Sequence, residues 1–281
     1  MTTLSQVYRK TPFTVQDIYD IVLKWIDEGY EVDNGFPLYY LAELISEANE
    51  DKFIEVLNAL LERGYEVKAL DVQMIIISEN QKVVDYIKSK GIDVNLLDDN
   101  EENVFFHILS GRVLEISNIG DLSRLFQFAI KNGVRYDIIN ENGENLIHAY
   151  IKGGQDDFYL EELMKLPLDI NLRNKWGFTP LHKACLELAE DNALEKLIKH
   201  GADITMKTLE NQHESGDFSI KIKLGERPYD LRIKYLNTLF NEFFEYTNSV
   251  PEELEQDEMQ RYENQKNYYK RLLLPENERD F

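Results

Sequence analysis

Asn174-Lys175-Trp176-Gly177-Phe178-Thr179-Pro180-Leu181-His182-Lys183-Ala184-Cys185 opens a segment that closes on Leu197-Ile198-Lys199-His200-Gly201-Ala202-Asp203. Thr179 suits a helix N-cap, and Pro180 then takes the first helical position, where a missing N–H costs nothing. Gly201 suits the left-handed conformation that ends a second helix. The stretch reads as a finger, a helix, a turn and another helix.

The closing pattern recurs along the chain. Bulky pairs at Trp25-Ile26, Leu60-Leu61, Tyr86-Ile87, Ala129-Ile130 and Leu197-Ile198 precede Gly29, Gly64, Gly91, Gly133 and Gly201. The glycines are 35, 27, 42 and 68 residues apart, and Pro167, preceded by Leu163-Met164, divides the last gap in two. Two positions beyond these rungs stand Glu31, Glu66, Asp93, Arg135, Asp169 and Asp203. Self-similarity near this period marks a stacked helical repeat array.

The Thr179-Pro180-Leu181-His182-x-Ala184 unit resembles the ankyrin repeat, about 33 residues long with that signature. Gly143-Glu144-Asn145-Leu146-Ile147-His148-Ala149 keeps the glycine and histidine but not Thr-Pro. Asn103-Val104-Phe105-Phe106 holds the corresponding stretch one unit earlier, with Glu101 at the glycine's place. Gly35-Phe36-Pro37-Leu38 is one residue short, and Gly225-Glu226-Arg227-Pro228-Tyr229-Asp230-Leu231 resembles a terminal unit. The resemblance covers about residues 14–247. It implies an all-α, ankyrin-like helical solenoid with short β-hairpin or loop fingers, and a structural His182 that ties neighbouring repeats through backbone hydrogen bonds. The expected organisation is a degenerate array of six or seven units over residues 1–247, with an insertion at 208–223. An acidic C-terminal capping helix and tail follows over 248–281, its helix expected at 251–274 between Pro251 and Pro275.

Within the array, Thr14-Val15-Gln16-Asp17 reads as a capping box. Ile18, Ile21, Val22, Trp25 and Ile26 then form one apolar helix face. Between Gly64 and Gly91 there is room for two helices but hardly for a finger. A loop around 116–120 accounts for the wide gap of 42.

The formal net charge is −21, and acids outnumber bases in each successive quarter of the 281 residues. Such a surface repels phosphate backbones and favours a basic protein partner. No apolar run approaches the roughly 20 residues needed to span a bilayer. Arg9 and Lys10 have no apolar stretch behind them, so no signal peptide is expected. The lone Cys185 precludes an internal disulfide and suits a reducing, cytoplasmic setting as a buried, inert thiol.

Catalytic and cofactor motifs are missing. There is no Walker-type loop, no Gly-x-Gly-x-x-Gly and no Gly-x-Ser-x-Gly, and the histidines and single cysteine lack zinc-ligand spacing. The expectation is therefore no enzyme, no cofactor and no metal, with function residing at a surface. Arrays of the resembled family bind proteins through finger tips and inner helices. Carried onto this chain, the implied protein-binding residues are Lys175, Trp176 and Phe178 with Leu186 and Glu187, then Glu141, Asn142, Glu144 and Lys152, then Asp99, Asn100 and Glu102. Trp176 is the sharpest, because an aromatic at a tip suits an interface hot spot. The expected role is stoichiometric inhibition of a partner, as a bacterial immunity protein performs against its toxin. The alternatives are a scaffold or host-directed effector using the tail helix as a second contact, and an acidic nucleic-acid mimic that blocks a DNA-binding enzyme.

Overall fold

The computed structural model describes residues 3–8, 17–33, 35–111, 122–153, 157–186, 191–209, 214–215, 220–246 and 252–279. Thr14, the loop at 116–120, Glu187 and half of the insertion fall outside them. The described residues are helical, as the repeat pattern implies. Contacts divide the chain into two units, Met1–Ile108 with Val113–Ile138, and Leu109–Arg112 with Ile139–Phe281.

The first unit holds α1 (Leu4–Tyr8), α2 (Ile18–Asp27), α3 (Leu38–Glu43), α4 (Glu50–Glu62), α5 (Ala69–Ile77), α6 (Gln81–Ser89), all but the end of α7 (Val104–Leu109), and α8 (Leu122–Lys131). It is a two-layer stack, with α3 against α5 in one layer and α2, α4 and α6 in succession in the other. The apolar face expected on α2 is present: Ile18, Val22, Trp25 and Ile26 are buried, so Trp25 belongs to the core. Asn80 caps α6, its side chain accepting from Val83 N at 3.0 Å. The short gap before Gly91 holds α5 and α6 with only four residues between Gly64 and α5, too few for a finger.

The second unit holds α9 (Leu146–Gly153), α10 (Asp157–Met164), α11 (Pro180–Leu186), α12 (Asp191–Lys199), α13 (Pro228–Tyr246) and α14 (Glu252–Leu273). Here α9, α11 and α13 pack in order, α10 lies on α12, and α14 lies on α13. Pro180 and Pro228 each start a helix, where their fixed φ fits and no donor is lost. Helix α14 is largely polar but fastened near its C-terminal end. Tyr269 and Leu273 are buried, and Arg232 of α13 donates to Tyr269 Oη at 2.7 Å while lying over that ring.

One device ends the helices. All five rung glycines have positive φ, between +74° and +98°. At each, the N–H of the following residue reaches back to the carbonyl five positions earlier: Tyr30 to Trp25, Tyr65 to Leu60, Ile92 to Ile87, Val134 to Ala129 and Ala202 to Leu197, all at 2.9–3.1 Å. This Schellman bonding satisfies carbonyls that helix ends would leave orphaned. It corrects the third rung by one residue: the bonded pair is Ile87-Lys88, since Gly91 N–H donates to Lys88 O, and not Tyr86-Ile87. At Pro167 no N–H exists, and the neighbours Leu166 and Leu168 bond instead to Leu163 and Leu166.

A rung glycine and a finger glycine differ in what surrounds them. A Cβ on Gly201 would meet nothing within 4 Å, whereas one on Gly177 would lie 2.6 Å from Leu209 Cβ and 2.7 Å from Leu209 N. Both have positive φ, so alanine strains either. Gly201→Ala is expected to cost about 1 kcal/mol from φ alone, and Gly177→Ala at least about 2 kcal/mol because backbone must also move. Urea denaturation of the two variants checks this, and equal losses would refute the packing at Gly177.

Candidate functional site

Each finger is built on one residue whose side chain gathers its own turn. Asp98 Oδ1 accepts from the N–H groups of Asn100 and Glu102, each at 2.9 Å. Asn140 Oδ1 accepts from Asn142 and Glu144 at 3.0 and 2.9 Å, and Asn174 Oδ1 from Trp176 and Phe178 at 3.1 and 3.0 Å. Short Asp and Asn side chains mimic a backbone turn in this way. The fourth position of each finger takes positive φ at Glu101 (60°), Gly143 (75°) and Gly177 (82°). Glu101 therefore does occupy the glycine position, at some cost in strain.

These fingers are tight turns, the loop form of the β-hairpin or loop fingers expected. Among the described residues the one ladder joins β1 (Glu214–Ser215) to β2 (Ile220–Lys221), antiparallel, inside the insertion. That insertion enlarges a finger: Thr208 N donates to Glu226 O at 2.9 Å, and Glu226 N returns to Thr208 Oγ1 at 3.0 Å.

Behind the fingers, side chains fasten each repeat to the next. In the second unit His182 Nε2 donates to Met206 O at 3.1 Å, while its Nδ1 accepts from Thr179 N at 3.2 Å. His148 Nε2 likewise donates to Phe178 O at 3.1 Å. The inter-repeat role implied for His182 is thus met. Burial pushes both imidazoles down, to about 4, which keeps them neutral and fixes Nε2 as the donor. In the first unit Tyr65 does similar work, donating to Phe36 O at 3.1 Å, with Asp71 also within 2.9 Å of its hydroxyl. Asn171 grips the next rung, taking Asp203 N at 2.8 Å and donating to Gly201 O at 3.1 Å, and Asn95 does the same to Arg135 N and Gly133 O. The recurring acids Asp93, Asp169 and Asp203 accept N–H groups two residues on, at Asn95, Asn171 and Thr205. Their periodicity is structural.

The residues singled out for binding divide into two groups. Lys175, Glu141, Lys152, Asp99 and Asn100 are exposed, and Trp176 and Asn142 are half-buried. In the second unit the fingers touch, because Lys175 N donates to Asn142 O at 2.8 Å. Glu141, Asn142, Lys175 and Trp176 therefore share one edge, with the Lys175 ammonium 4.8 Å from the Trp176 ring centre. Leu209, 58% exposed, follows on the next finger against Gly177.

Phe178, Leu186, Glu144 and Glu102 are buried, and their placement at a binding surface is corrected. Phe178 and Glu144 close their fingers, a position that turns back toward the helices. The Phe178 ring lies 6.2 Å from His182, and Leu186 lies on the covered side of α11. Glu144 accepts from Lys183 Nζ at 2.9 Å and from Asn174 Nδ2 at 3.2 Å. Burial pushes its carboxyl up, but the Lys183 ammonium and the Asn174 amide outweigh that and hold it below the ordinary range. Glu187 lies outside the described residues.

Sequence spacing gave no sign of one further grouping. Asp98, Glu102 and His107 bring potential ligand atoms within 4.8 Å of one another. Asp98 Oδ2 bonds His107 Nε2 at 2.9 Å and Oδ1 holds the turn, so the cluster's evident work is to fold its finger. Cys185 is fully buried, and burial raises its thiol to about 12, which fits the inert reading. No described helix is long and apolar enough to cross a membrane.

Comparison with known proteins agrees with this geometry. The family description for ankyrin repeats matches residues 113–208 in three copies. The fowlpox virus protein FPV031, named for its ankyrin repeats, is 26% identical over 135 residues, 47% of this chain and 36% of its own length. Palmitoyltransferase AKR1 of Lachancea kluyveri is 28% identical over 132 residues, 47% of this chain and 17% of its own. Delta-latroinsectotoxin-Lt1a of Latrodectus tredecimguttatus is 36% identical over 80 residues, 28% of this chain and 6% of its own. The chain thus spans about a third or less of the length of these relatives. With fingers bonded by Asx turns and repeats joined through His148 and His182, residues 113–208 are ankyrin repeats, the architecture of a protein–protein interaction module.

Proposed function

We propose that this chain acts, without catalysis, by binding a basic protein one to one and blocking it, in the manner of an immunity protein against its toxin, within a reducing cytoplasm. The observation that carries the reading is the finger edge of the second unit. Glu141, Asn142, Lys175 and Trp176 stand together on turns whose backbones are bonded from behind, so an interface there loses little conformational entropy on binding. The net charge of −21 supports a cationic partner and fast encounter with it.

The test is affinity capture followed by titration of the captured protein's activity. Inhibition that is complete at one equivalent supports the reading, and a partner that stays active when saturated opposes it. Trp176→Ala is expected to weaken binding at least about tenfold while leaving thermal stability nearly unchanged, as for an interface hot spot. Unchanged affinity would remove Trp176 from the interface. The bridging reading has one feature in its favour: α14, a largely polar helix, leaves Met259 46% exposed, which offers a second contact. Two partners recovered together, one of them lost on deleting residues 249–281, would favour it.

A further inference from the structure

The finger at 98–102 departs from its two later counterparts in ways that the repeat does not require. Asn140 and Asn174 head those fingers, whereas Asp98 heads this one and adds a charge. Nine residues beyond the first two stand Ala149 and Lys183; nine beyond Asp98 stands His107. His107 lies one place past the position from which His148 and His182 join repeats, and buried Phe106 fills that position here. These departures meet in space. Asp98 Oδ2 is 2.9 Å from His107 Nε2, and with the Glu102 carboxylate they form a group whose ligand atoms all lie within 4.8 Å of one another.

A second observation comes from α5. Gln73 is 2% exposed, and its Nε2 donates to Glu102 O at 3.4 Å. The same carbonyl closes the finger by accepting from Asp98 N at 3.0 Å. That bond sets which way the amide faces, since turning it over would place oxygen against oxygen. The Gln73 Oε1 atom is buried and has no hydrogen-bond partner among the described residues. Leaving a buried acceptor in that state is costly, and a cation satisfies it as well as a donor would.

We propose that Asp98, Glu102, His107 and Gln73 form a site for a divalent transition-metal ion of the Zn²⁺ class, which fastens the finger to α5 and α7. One imidazole nitrogen with carboxylate and amide oxygens suits such an ion, whereas Ca²⁺ takes roughly six to eight oxygens. Tetrahedral bonds of about 2.0–2.1 Å set ligand atoms about 3.3 Å apart. Asp98 Oδ2 and His107 Nε2 already stand near that spacing. To bind, His107 must present a lone pair at Nε2, so its ring proton moves to Nδ1 with no change of charge. Asp98 Oδ1 meanwhile keeps the N–H groups of Asn100 and Glu102, so the turn persists. The inference is independent of the proposed partner and of the finger edge in the second unit.

The test uses the full chain without an affinity tag, freed of metal by a chelator and titrated with Zn²⁺ against a chromophoric competitor. Histidine ring signals are followed by NMR in the same titration. Expected are one ion bound per chain, a shift of the His107 ring with His148 and His182 unmoved, a higher thermal unfolding midpoint, and no displacement by equal Ca²⁺ or Mg²⁺. Asp98→Asn installs the residue that heads the other fingers, and His107→Ala the residue at 149, so both variants keep a fold that circular dichroism can verify. Each is expected to bind Zn²⁺ at least about tenfold more weakly, and Gln73→Leu is expected to weaken binding without lowering the stability of the metal-free chain. Absence of binding, binding that leaves the His107 ring unmoved (an adventitious ion only), unchanged affinity in the Asp98 and His107 variants, or ready displacement by Ca²⁺ would each overturn the proposal. The His107 signal in the unaltered chain gives its answer whether or not the variants fold.

Discussion

Lys183→Ala is expected to destabilise the second unit by about 3 kcal/mol at pH 7, the scale for breaking a buried ion pair by removing one member. The side chains of Lys183 and Glu144 are only 11% and 9% exposed and meet at 2.9 Å, joining α11 to the finger of the preceding repeat. Without the ammonium, Glu144 keeps its Asn174 contact but sits as an uncompensated charge, and burial then dominates its titration. In the native protein its depressed carboxyl contributes stability that is present above its unfolded value near 4.5 and is lost as pH falls below it. In the variant the carboxyl is raised instead, so the deficit should shrink on acidification as the carboxyl takes up a proton. Urea denaturation of both proteins at pH 7 and pH 5 measures this. The double variant Glu144→Gln/Lys183→Met is expected to recover most of the loss, since it removes both charges. A single-variant loss below about 1 kcal/mol would mean the pair is not sequestered as described.

Acid should destabilise the second unit through His148 and His182. Both have folded pKa values lowered from 6.5 to about 4. The unfolded chain therefore binds more protons between those limits: stability is complete above pH 6.5 and falls as pH drops from there toward 4. At about 1.4 kcal/mol per pKa unit, each histidine is worth up to roughly 3 kcal/mol, which is large against a typical total of about 5–15 kcal/mol. Chemical denaturation across pH 7.5 to 4.5 should show this slope. His148→Gln/His182→Gln should be less stable at pH 7, because Phe178 O and Met206 O lose their donors, and should lose less on acidification. Asp71, whose carboxyl burial raises, titrates with the opposite sign, but it lies in the first unit. A wild-type curve flat to pH 5 would contradict the buried, neutral state of both imidazoles.

The helix ends were legible because their cause is local. A glycine with positive φ and a bulky residue four positions earlier are both visible in sequence, and all five predicted glycines have that conformation. The third rung lies one residue later than its hydrophobic pair suggests, because the position three before Gly91 is exposed and Lys88 fills it. The finger tips were only half legible. Gly177 and Gly143 mark the turns, but Phe178 and Glu144, one residue later, already point inward, and only the four-residue reach of Asn174 and Asn140 distinguishes them. The acids two beyond each rung were visible as a pattern, and the backbone groups they hold were not. The cleft among Tyr8, Tyr40 and Leu70 was illegible, since these residues meet only through packing of α1, α3 and α5.

Hydrogen exchange of the chain, alone and with its captured partner, tests the central claim most directly. Binding at the fingers predicts slowed exchange at residues 140–144 and 174–178, and at 98–102 if the first unit takes part. Slowing confined to α10 and α12, with the fingers exchanging as before, would contradict it.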